Sequence, residues 1–148
     1  MSPPSPRPPV VMLVEDSEDD AFFFRWTLRK TGAACDLVHF RNGADAIGHL
    51  RLVLAGDAPA PDLVFLDLKL PVTNGFEILE WIRAQPASLA GRIVILSGSD
   101  HDSDVKRAQA LGVSGYQVKP LSPLQLSQEL QLAAAASGSD RIAAAHGS

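Results

Sequence analysis

Five short segments of the chain are dominated by apolar residues, many of them β-branched or aromatic. These runs are too short for helices, and polar or turn-forming residues bound them, which predicts strands. The continuous run Leu63–Leu66, which begins after Pro61 and stops at Asp67, is typical of a strand buried on both faces of a parallel sheet. The predicted strands are Val10–Val14, Cys35–Phe40, Leu63–Leu66, Arg92–Leu96 and Gly115–Val118.

Segments with apolar residues at helical spacing alternate with these strands. In the first segment Ala21, Phe24 and Leu28 fall on one stripe, which should face the sheet. Phe22 and Trp26 lie on another face and form either the edge of the core or a docking surface. The predicted helices begin near Ser17, Asn42, Asn74, Asp100 and Pro123, and the first four end near Gly32, Gly56, Pro86 and Gly112.

This alternation of strands and helices, without internal repeats, predicts an α/β domain whose parallel sheet is covered by helices on both faces. We expect a doubly wound, five-stranded parallel sheet with five helices, in the flavodoxin-like order 2-1-3-4-5. Residues 1–9, which contain five prolines, should form a flexible arm, residues 10–136 the domain, and residues 137–148 a flexible low-complexity tail. The low-complexity stretch from Ala133 onward is also compatible with an extension of the fifth helix. No DNA-binding or enzymatic segment is expected after the fifth helix, so the domain should work alone.

Composition narrows the class of protein. The chain has 148 residues, of which 46% are hydrophobic, and this length suits one domain with a sizeable core. A net charge of −4 without a cluster of Lys or Arg argues against direct nucleic-acid binding. The N-terminal residues contain no apolar h-region, the chain has no apolar run of membrane length, and the single Cys35 cannot form an internal disulfide. These features predict a cytoplasmic protein that does not enter membranes, with Cys35 packed in the core.

Polar side chains stand at the carboxyl ends of four predicted strands. Because parallel strands expose these ends along one edge of the sheet, the side chains should meet there. Glu18, Asp19 and Asp20 need no such role, since acids are favoured in the first turn of a helix. The residues expected at the edge are Glu15, Asp16, Asp67, Ser97 and Lys119.

This set of side chains predicts a metal site and a phosphoryl acceptor. Three carboxylates would repel one another and raise each other's pKa unless a cation neutralised them, and Mg²⁺ is the natural candidate for oxygen ligands. Asp67 would attack phosphorus, Mg²⁺ and Lys119 would screen the developing charge, and Ser97 would hold one oxygen. An Asp after a strand can also merely cap a turn, so Asp67 by itself is a weak indication.

The ordered set of an acidic pair, a strand-end Asp, a strand-end Ser and Lys119-Pro120 resembles the receiver domain of bacterial two-component response regulators over residues 10–134. The resemblance implies that Asp67 accepts a phosphoryl group from a phosphohistidine of a sensor histidine kinase. It also implies a set of ligands for Mg²⁺. These are the side chains of Glu15, Asp16 and Asp67 and the backbone carbonyl of Lys69.

Further roles are implied by the same resemblance. Ser97 and Lys119 should contact the phosphoryl group, and Tyr116 should act with Ser97 as a switch. The Lys119–Pro120 peptide bond should be cis. The Glu-Asp-Ser start of the site and the sequence around Asp67 are similar to those of small regulators that partner bacterial phytochrome kinases. We therefore expect a bacteriophytochrome as the partner kinase and a homodimer formed through the fourth helix and the fifth strand.

Two other functions remain open at this point. A Mg²⁺-dependent phosphohydrolase could also use Asp67, although Lys69 stands where its usual Asp-x-Asp signature has the second acid. An adaptor that does not need phosphorylation is disfavoured by the presence of Asp67, Ser97 and Lys119. The histidines show no metal-ligand spacing with one another or with Cys35. As a receiver, the chain would catalyse only its own phosphorylation and dephosphorylation.

Overall fold

The computed structural model describes residues 7–98 and 101–146, and for Asp102 and residues 137–146 it describes the backbone alone. Within these residues, five strands alternate with five α-helices, as the sequence predicts. The elements are β1 (Val10–Val14), α1 (Glu18–Thr31), β2 (Asp36–Phe40), α2 (Gly43–Leu54), β3 (Leu63–Asp67), α3 (Gly75–Arg83), a 3-10 turn (Ala87–Leu89), β4 (Arg92–Ser97), α4 (Asp102–Ala110), β5 (Gly115–Val118) and α5 (Pro123–His146).

The strands form one parallel sheet in the order β2-β1-β3-β4-β5, which confirms the predicted doubly wound topology. The strand order reverses between β1 and β3, which is where open sheets of this kind place their ligands. The register aligns the carboxyl ends, because Val14 lies opposite Leu66 and Asp67 lies opposite Leu96. Residues that follow these strand ends are therefore neighbours along one edge.

Apolar side chains cover both faces of the sheet in two clusters. One cluster lies between the sheet and helices α2, α3 and α4, and the other lies under α1 and α5. Met12 and Val14 belong to the first and Val11 and Leu13 to the second, as expected for alternating residues of a strand. Cys35 packs against the second cluster, as predicted. The predicted stripe of α1 is buried in that cluster: Ala21, Phe24 and Leu28.

Side-chain caps begin the first three helices where the sequence predicts them. Ser17 Oγ accepts a hydrogen bond from the backbone N–H of Asp20 at 3.2 Å. Asn42 and Asn74 cap α2 and α3 in the same way. At the end of α1, Gly32 has a φ of 72°, the left-handed conformation that closes many helices. Because Ser17 directly follows the acidic pair, its cap fixes where the chain turns from β1 into α1.

The start of α4 and the end of α5 lie close to residues outside the described part of the chain. The helix α4 begins at Asp102, whereas the predicted start, Asp100, lies outside the described residues. The helix α5 continues past residue 136 to His146, since its alanine-rich sequence is compatible with a helix. Residues 1–6 and the last two residues lie outside the described residues, so the flexible arm and tail stay predictions. No helix in the described part of the chain is long and apolar enough to span a membrane.

Gly75, the first residue of α3, packs against the backbone at the end of β3. A Cβ atom at this position would lie 2.4 Å from the carbonyl oxygen of Asp67. Gly75→Ala should therefore displace the helix from the strand and lower the free energy of unfolding by about 1–3 kcal/mol. Urea denaturation measures the change.

Gly48→Ala in the middle of α2 is the matched control, because nothing lies within 4 Å of its added Cβ. This change should instead raise the free energy of unfolding by about 0.5–1 kcal/mol, the ordinary gain of Ala over Gly in a helix. Equal effects of the two substitutions would contradict the close approach of Gly75 to β3.

Candidate functional site

Four strand ends bring the predicted site residues to one edge of the sheet. Glu15 and Asp16 follow β1, Asp67 ends β3 and Ser97 ends β4. Lys119 follows β5, and its backbone N–H donates to the carbonyl of Ser97 at 2.7 Å. Glu15, Asp67 and Ser97 are almost fully buried, with 1%, 5% and 1% of their surface exposed. The site is therefore assembled from distant parts of the chain, and Asp16 is its exposed member.

The three predicted side-chain ligands of a metal converge. Glu15, Asp16 and Asp67 each offer a carboxylate oxygen, and these oxygens lie within 4.8 Å of one another. We refer to these three residues as the acidic group. Burial alone does not identify a metal site, because the buried Glu129 has a fixed partner in Arg92 at 2.6 Å. The acidic group differs in its donor set, since several carboxylate oxygens at such distances fit a hard divalent cation such as Mg²⁺.

The ammonium of Lys119 lies among three carboxylates. Its Nζ is 2.5 Å from Glu15 Oε1, 3.0 Å from Asp67 Oδ2 and 3.0 Å from Asp20 Oδ2. Sequence reasoning missed the contact of Asp20 and explained this residue as helix-start charge. Asp20 does lie in the first turn of α1, but its side chain also reaches Lys119. The available signal was that α1 begins at the same edge of the sheet, so its first turn borders the site.

Both carboxylate oxygens of Asp67 accept hydrogen bonds. Oδ1 accepts the backbone N–H of Lys69 at 3.0 Å, and Oδ2 accepts from Lys119 Nζ. The loop after β3 therefore folds back onto the carboxylate, while the Lys69 side chain is exposed. A metal-ligand role for the Lys69 carbonyl stays a prediction. The Lys119–Pro120 peptide bond is cis, as predicted.

Ser97 and Tyr116, the predicted switch residues, lie on the neighbouring strands β4 and β5. Ser97 is buried and lies opposite Val118 in the register. Tyr116 lies opposite Ile95, is half-buried, and packs against the core cluster under α2, α3 and α4. The two residues thus connect the acidic edge with the outer strand of the sheet, and their joint movement stays a prediction.

Burial shifts the pKa of Glu15, one member of the acidic group. It raises the pKa of Glu15 to about 7, and the neighbouring Asp67 acts in the same direction while Lys119 opposes it. Burial also acts to lower the pKa of Lys119, but hydrogen bonds to Glu15, Asp20 and Asp67 outweigh this and raise the pKa above its ordinary value. Lys119 is therefore charged at neutral pH, whereas Glu15 changes between its protonated and ionised forms near pH 7.

A cavity of about 540 Å³ opens beside Lys119, between α1 and the segment that joins β5 to α5. Its walls are mainly apolar, and Phe23 of α1 forms part of them. Phe22 and Trp26 lie on the same helix and are 64% and 41% exposed. The structure thus places both residues on the exposed surface of α1, outside the core.

The sequence matches known proteins over most of its length. The profile of a family described as response regulator receiver domain matches residues 11–131. Response regulator Rcp1 of Synechocystis sp. is 32% identical over 120 residues, which cover 80% of this chain and 82% of Rcp1. The nitrate/nitrite response regulator protein NarL of Escherichia coli is 45% identical over 75 residues, but the match covers 51% of this chain and 34% of NarL.

Solved structures share the fold. The Mn²⁺-bound form of Rcp1 gives a TM-score of 0.69 at 29% identity, over 85% of this chain and 89% of that one. The bacteriophytochrome response regulator AtBRR gives a TM-score of 0.74 at 29% identity, over 85% of this chain and 92% of that one. These matches confirm the resemblance and the topology predicted from the sequence.

Proposed function

Because this chain belongs to the receiver domain family of two-component response regulators, we propose that Asp67 accepts a phosphoryl group from a phosphohistidine of a sensor histidine kinase. Receiver domains are signalling modules that work with such kinases. One observation carries the choice of Asp67. Its buried carboxylate belongs to the acidic group and also lies 3.0 Å from the ammonium of Lys119.

The proposed reaction transfers a phosphoryl group between two side chains. A carboxylate oxygen of Asp67 attacks phosphorus, the P–N bond of the phosphohistidine breaks, and the electron pair leaves with the imidazole. The product is an acyl phosphate on Asp67. Lys119 and the hydroxyl of Ser97 donate hydrogen bonds to the phosphoryl oxygens and so stabilise their developing charge. Attack of water on phosphorus later breaks the bond between phosphorus and the Asp67 oxygen, which releases inorganic phosphate and restores the free carboxylate.

Mg²⁺ is the proposed cofactor. The carboxylates of the acidic group and the backbone carbonyl of Lys69 would hold it, and when bound it would supply positive charge beside the phosphoryl oxygens. Two observations support a divalent cation at this place. The three carboxylates lie close together, and the similar protein Rcp1 has a Mn²⁺-bound form.

Mg²⁺ at millimolar concentration should raise the melting temperature, and the shift should grow between about pH 5.5 and about pH 8. The pKa of Glu15 is about 7 in the folded protein without a metal, so at the lower pH its carboxylate holds a proton that Mg²⁺ must displace. Thermal melts at the two pH values, with Mg²⁺ or with a chelator, measure the shift.

Without a metal, the raised pKa of Glu15 makes the stability of the folded chain depend on pH. The folded chain holds the Glu15 proton more tightly than the unfolded chain, in which the ordinary pKa is 4.5. This contribution to stability is complete below about pH 4.5 and is lost as the pH rises towards about 7. Glu15→Gln should remove this loss of stability with rising pH, because the amide does not titrate. A Mg²⁺ shift of equal size at both pH values would contradict the raised pKa of Glu15.

The proposed output is a shift between two conformations. Phosphorylated Asp67 favours the state in which Ser97 and Tyr116 are drawn inward and the face formed by α4 and β5 is rearranged. An almost complete switch requires roughly 5.5 kcal/mol of differential stabilisation. The buried position of Ser97 on β4 and the half-buried position of Tyr116 on β5 support this route.

A homodimer through α4 and β5 and a kinase of the bacteriophytochrome class are the proposed partners. Apolar side chains that a second copy would cover are exposed on β5 and on the adjacent α5, at Val118, Leu124 and Leu132. The similar protein AtBRR is a bacteriophytochrome response regulator, which supports that class of kinase.

The cytoplasm is the proposed location, with residues 10–136 as the receiver domain between a flexible arm and tail.

Phe22 and Trp26 are proposed to form part of the kinase-docking surface. Replacing both with Gln should slow transfer from a sensor kinase that phosphorylates the wild type by about tenfold or more, since buried aromatic anchors dominate interfaces. Labelling by a small acyl-phosphate donor, which needs no docking surface, should not change. Transfer rates with radiolabelled kinase measure the effect.

Leu52 and Leu54 supply the control for this pair. They are also exposed apolar residues, but they lie on α2, which covers the other face of the sheet. The double change of these residues to Gln should leave both transfer and labelling unchanged. Normal transfer to the Phe22 and Trp26 variant would remove these aromatic residues from the docking surface.

One incubation separates the receiver from the alternatives. The protein is mixed with Mg²⁺ and acetyl phosphate, and its intact mass and the released phosphate are followed. A single covalent phosphate on Asp67 supports the receiver, whereas many turnovers without a stable adduct would support a phosphohydrolase. No labelling at all would support the adaptor.

A further inference from the structure

We propose that Asp20 is a positioning residue for Lys119, which keeps the ammonium at the site while Glu15 and Asp67 are engaged by the cation and the phosphoryl group. This inference rests on the proposed function of Asp67. It goes further by giving a role to a side chain outside the acidic group.

The three acids around Lys119 differ in what they are expected to do. Glu15 and Asp67 lie 2.5 Å and 3.0 Å from Nζ, and both belong to the acidic group that fits a divalent cation. Asp20 also lies 3.0 Å from Nζ, but it is not a member of that group. When Glu15 and Asp67 are engaged by the cation and the phosphoryl group, Asp20 is the one of these three acids that still contacts Lys119.

The first turn of α1 holds Asp20 in place through the cap residue Ser17, which also donates its backbone N–H to Glu15 Oε2 at 3.3 Å. The backbone N–H of Asp20 donates to Ser17 Oγ at 3.2 Å. The Asp20 side chain is 48% exposed and contacts the ammonium from the solvent side. The Lys119 side chain is mostly buried, so acids hold its charged end on both the inner and the outer side.

Phosphorylation of Asp67 explains why the contact between Asp20 and Lys119 matters. The acyl phosphate removes the charge from the carboxylate that accepts from Lys119, and the ammonium must then bind a phosphoryl oxygen. A lysine side chain has many rotamers, and ordering it during the reaction slows the step. Because Asp20 already contacts Nζ in the unphosphorylated protein, the Lys119 side chain is partly ordered before the reaction begins.

The test compares Asp20→Asn with Asp19→Asn. Asp19 lies in the same first turn of α1 and lines the same cavity, so both changes remove one charge from the same region. Asp20→Asn should slow Mg²⁺-dependent labelling of Asp67 by acetyl phosphate roughly fivefold, as expected for a half-exposed ion pair. Asp19→Asn should change the rate less than about twofold, and Asp20→Glu, which keeps the carboxylate, should restore most of it.

A double-mutant cycle with Lys119→Ala shows whether Asp20 acts through Lys119. In the Lys119→Ala protein, Asp20→Asn should have no further effect on the labelling rate. The same cycle on urea unfolding with a chelator present should show a favourable coupling between the two residues, which reports the ion pair without any reaction.

Two outcomes would overturn the inference. One is an equal effect of Asp20→Asn and Asp19→Asn, and the other is an undiminished effect of Asp20→Asn when Lys119 is absent. Failure of the proposed function itself would look different, because the wild-type protein would then carry no phosphate on Asp67.

Discussion

Asp67→Asn should abolish covalent phosphorylation and leave the fold intact. The amide has the size of the carboxylate but is not a nucleophile, so no acyl phosphate can form. Its oxygen can still accept the N–H of Lys69, which the carboxylate now accepts at 3.0 Å. Loss of one charge also relieves repulsion within the acidic group, so the chelated protein should be at least as stable as the wild type. Mass spectrometry after treatment with acetyl phosphate and Mg²⁺ measures the label, and thermal melts measure the fold.

Asp57→Asn serves as the control for this prediction. Asp57 is an exposed aspartate between α2 and β3, and its replacement should leave the label in place. A label that persists in the Asp67→Asn protein would show that another residue is the acceptor. Loss of the folded state would instead show that Asp67 is needed mainly for the structure.

Lys119→Ala should slow phosphoryl transfer to Asp67 by about 100- to 1,000-fold, the usual effect of removing a group that stabilises transition-state charge. The same substitution should tighten Mg²⁺ binding, because the ammonium that now lies 2.5 Å from Glu15 and 3.0 Å from Asp67 competes with the metal. Labelling rates with acetyl phosphate and calorimetric titration with Mg²⁺ measure the two effects.

The opposite signs distinguish this role of Lys119 from a general disturbance of the site. A distorted site would lose both the transfer rate and the affinity for Mg²⁺. Lys119→Arg keeps the positive charge and should retain more of the rate than Lys119→Ala, although the planar guanidinium does not reproduce the position of the ammonium. Weaker Mg²⁺ binding in the Lys119→Ala protein would contradict the proposed competition.

The fold was predictable because its strands are short, apolar and followed by polar residues. Leu63–Leu66 is buried on both faces, as a continuous apolar run in a parallel sheet requires. The caps at Ser17, Asn42 and Asn74 were predictable because the residue type itself satisfies the backbone at a helix start. The convergence of Glu15, Asp67 and Lys119 then followed from parallel topology alone.

Other features depend on distances that no local pattern carries. The contact of Asp20 with Lys119 joins residues 99 positions apart, and it depends on how the first turn of α1 is oriented over the sheet edge. Phe22 and Trp26 have a spacing that suits both a core edge and an exposed surface, and only packing decides between them. The alanine-rich end of α5 is compatible with both a continued helix and a frayed one, so sequence alone did not fix its length.

The long separation between Asp67 and Lys119 has a consequence for the protein as it is made on the ribosome. Lys119 follows Asp67 by 52 positions, so the proposed acceptor leaves the ribosome well before the ammonium that completes its surroundings. An unfinished copy should therefore be a poor acceptor. Sensor kinases would then phosphorylate finished, folded regulators and not nascent chains.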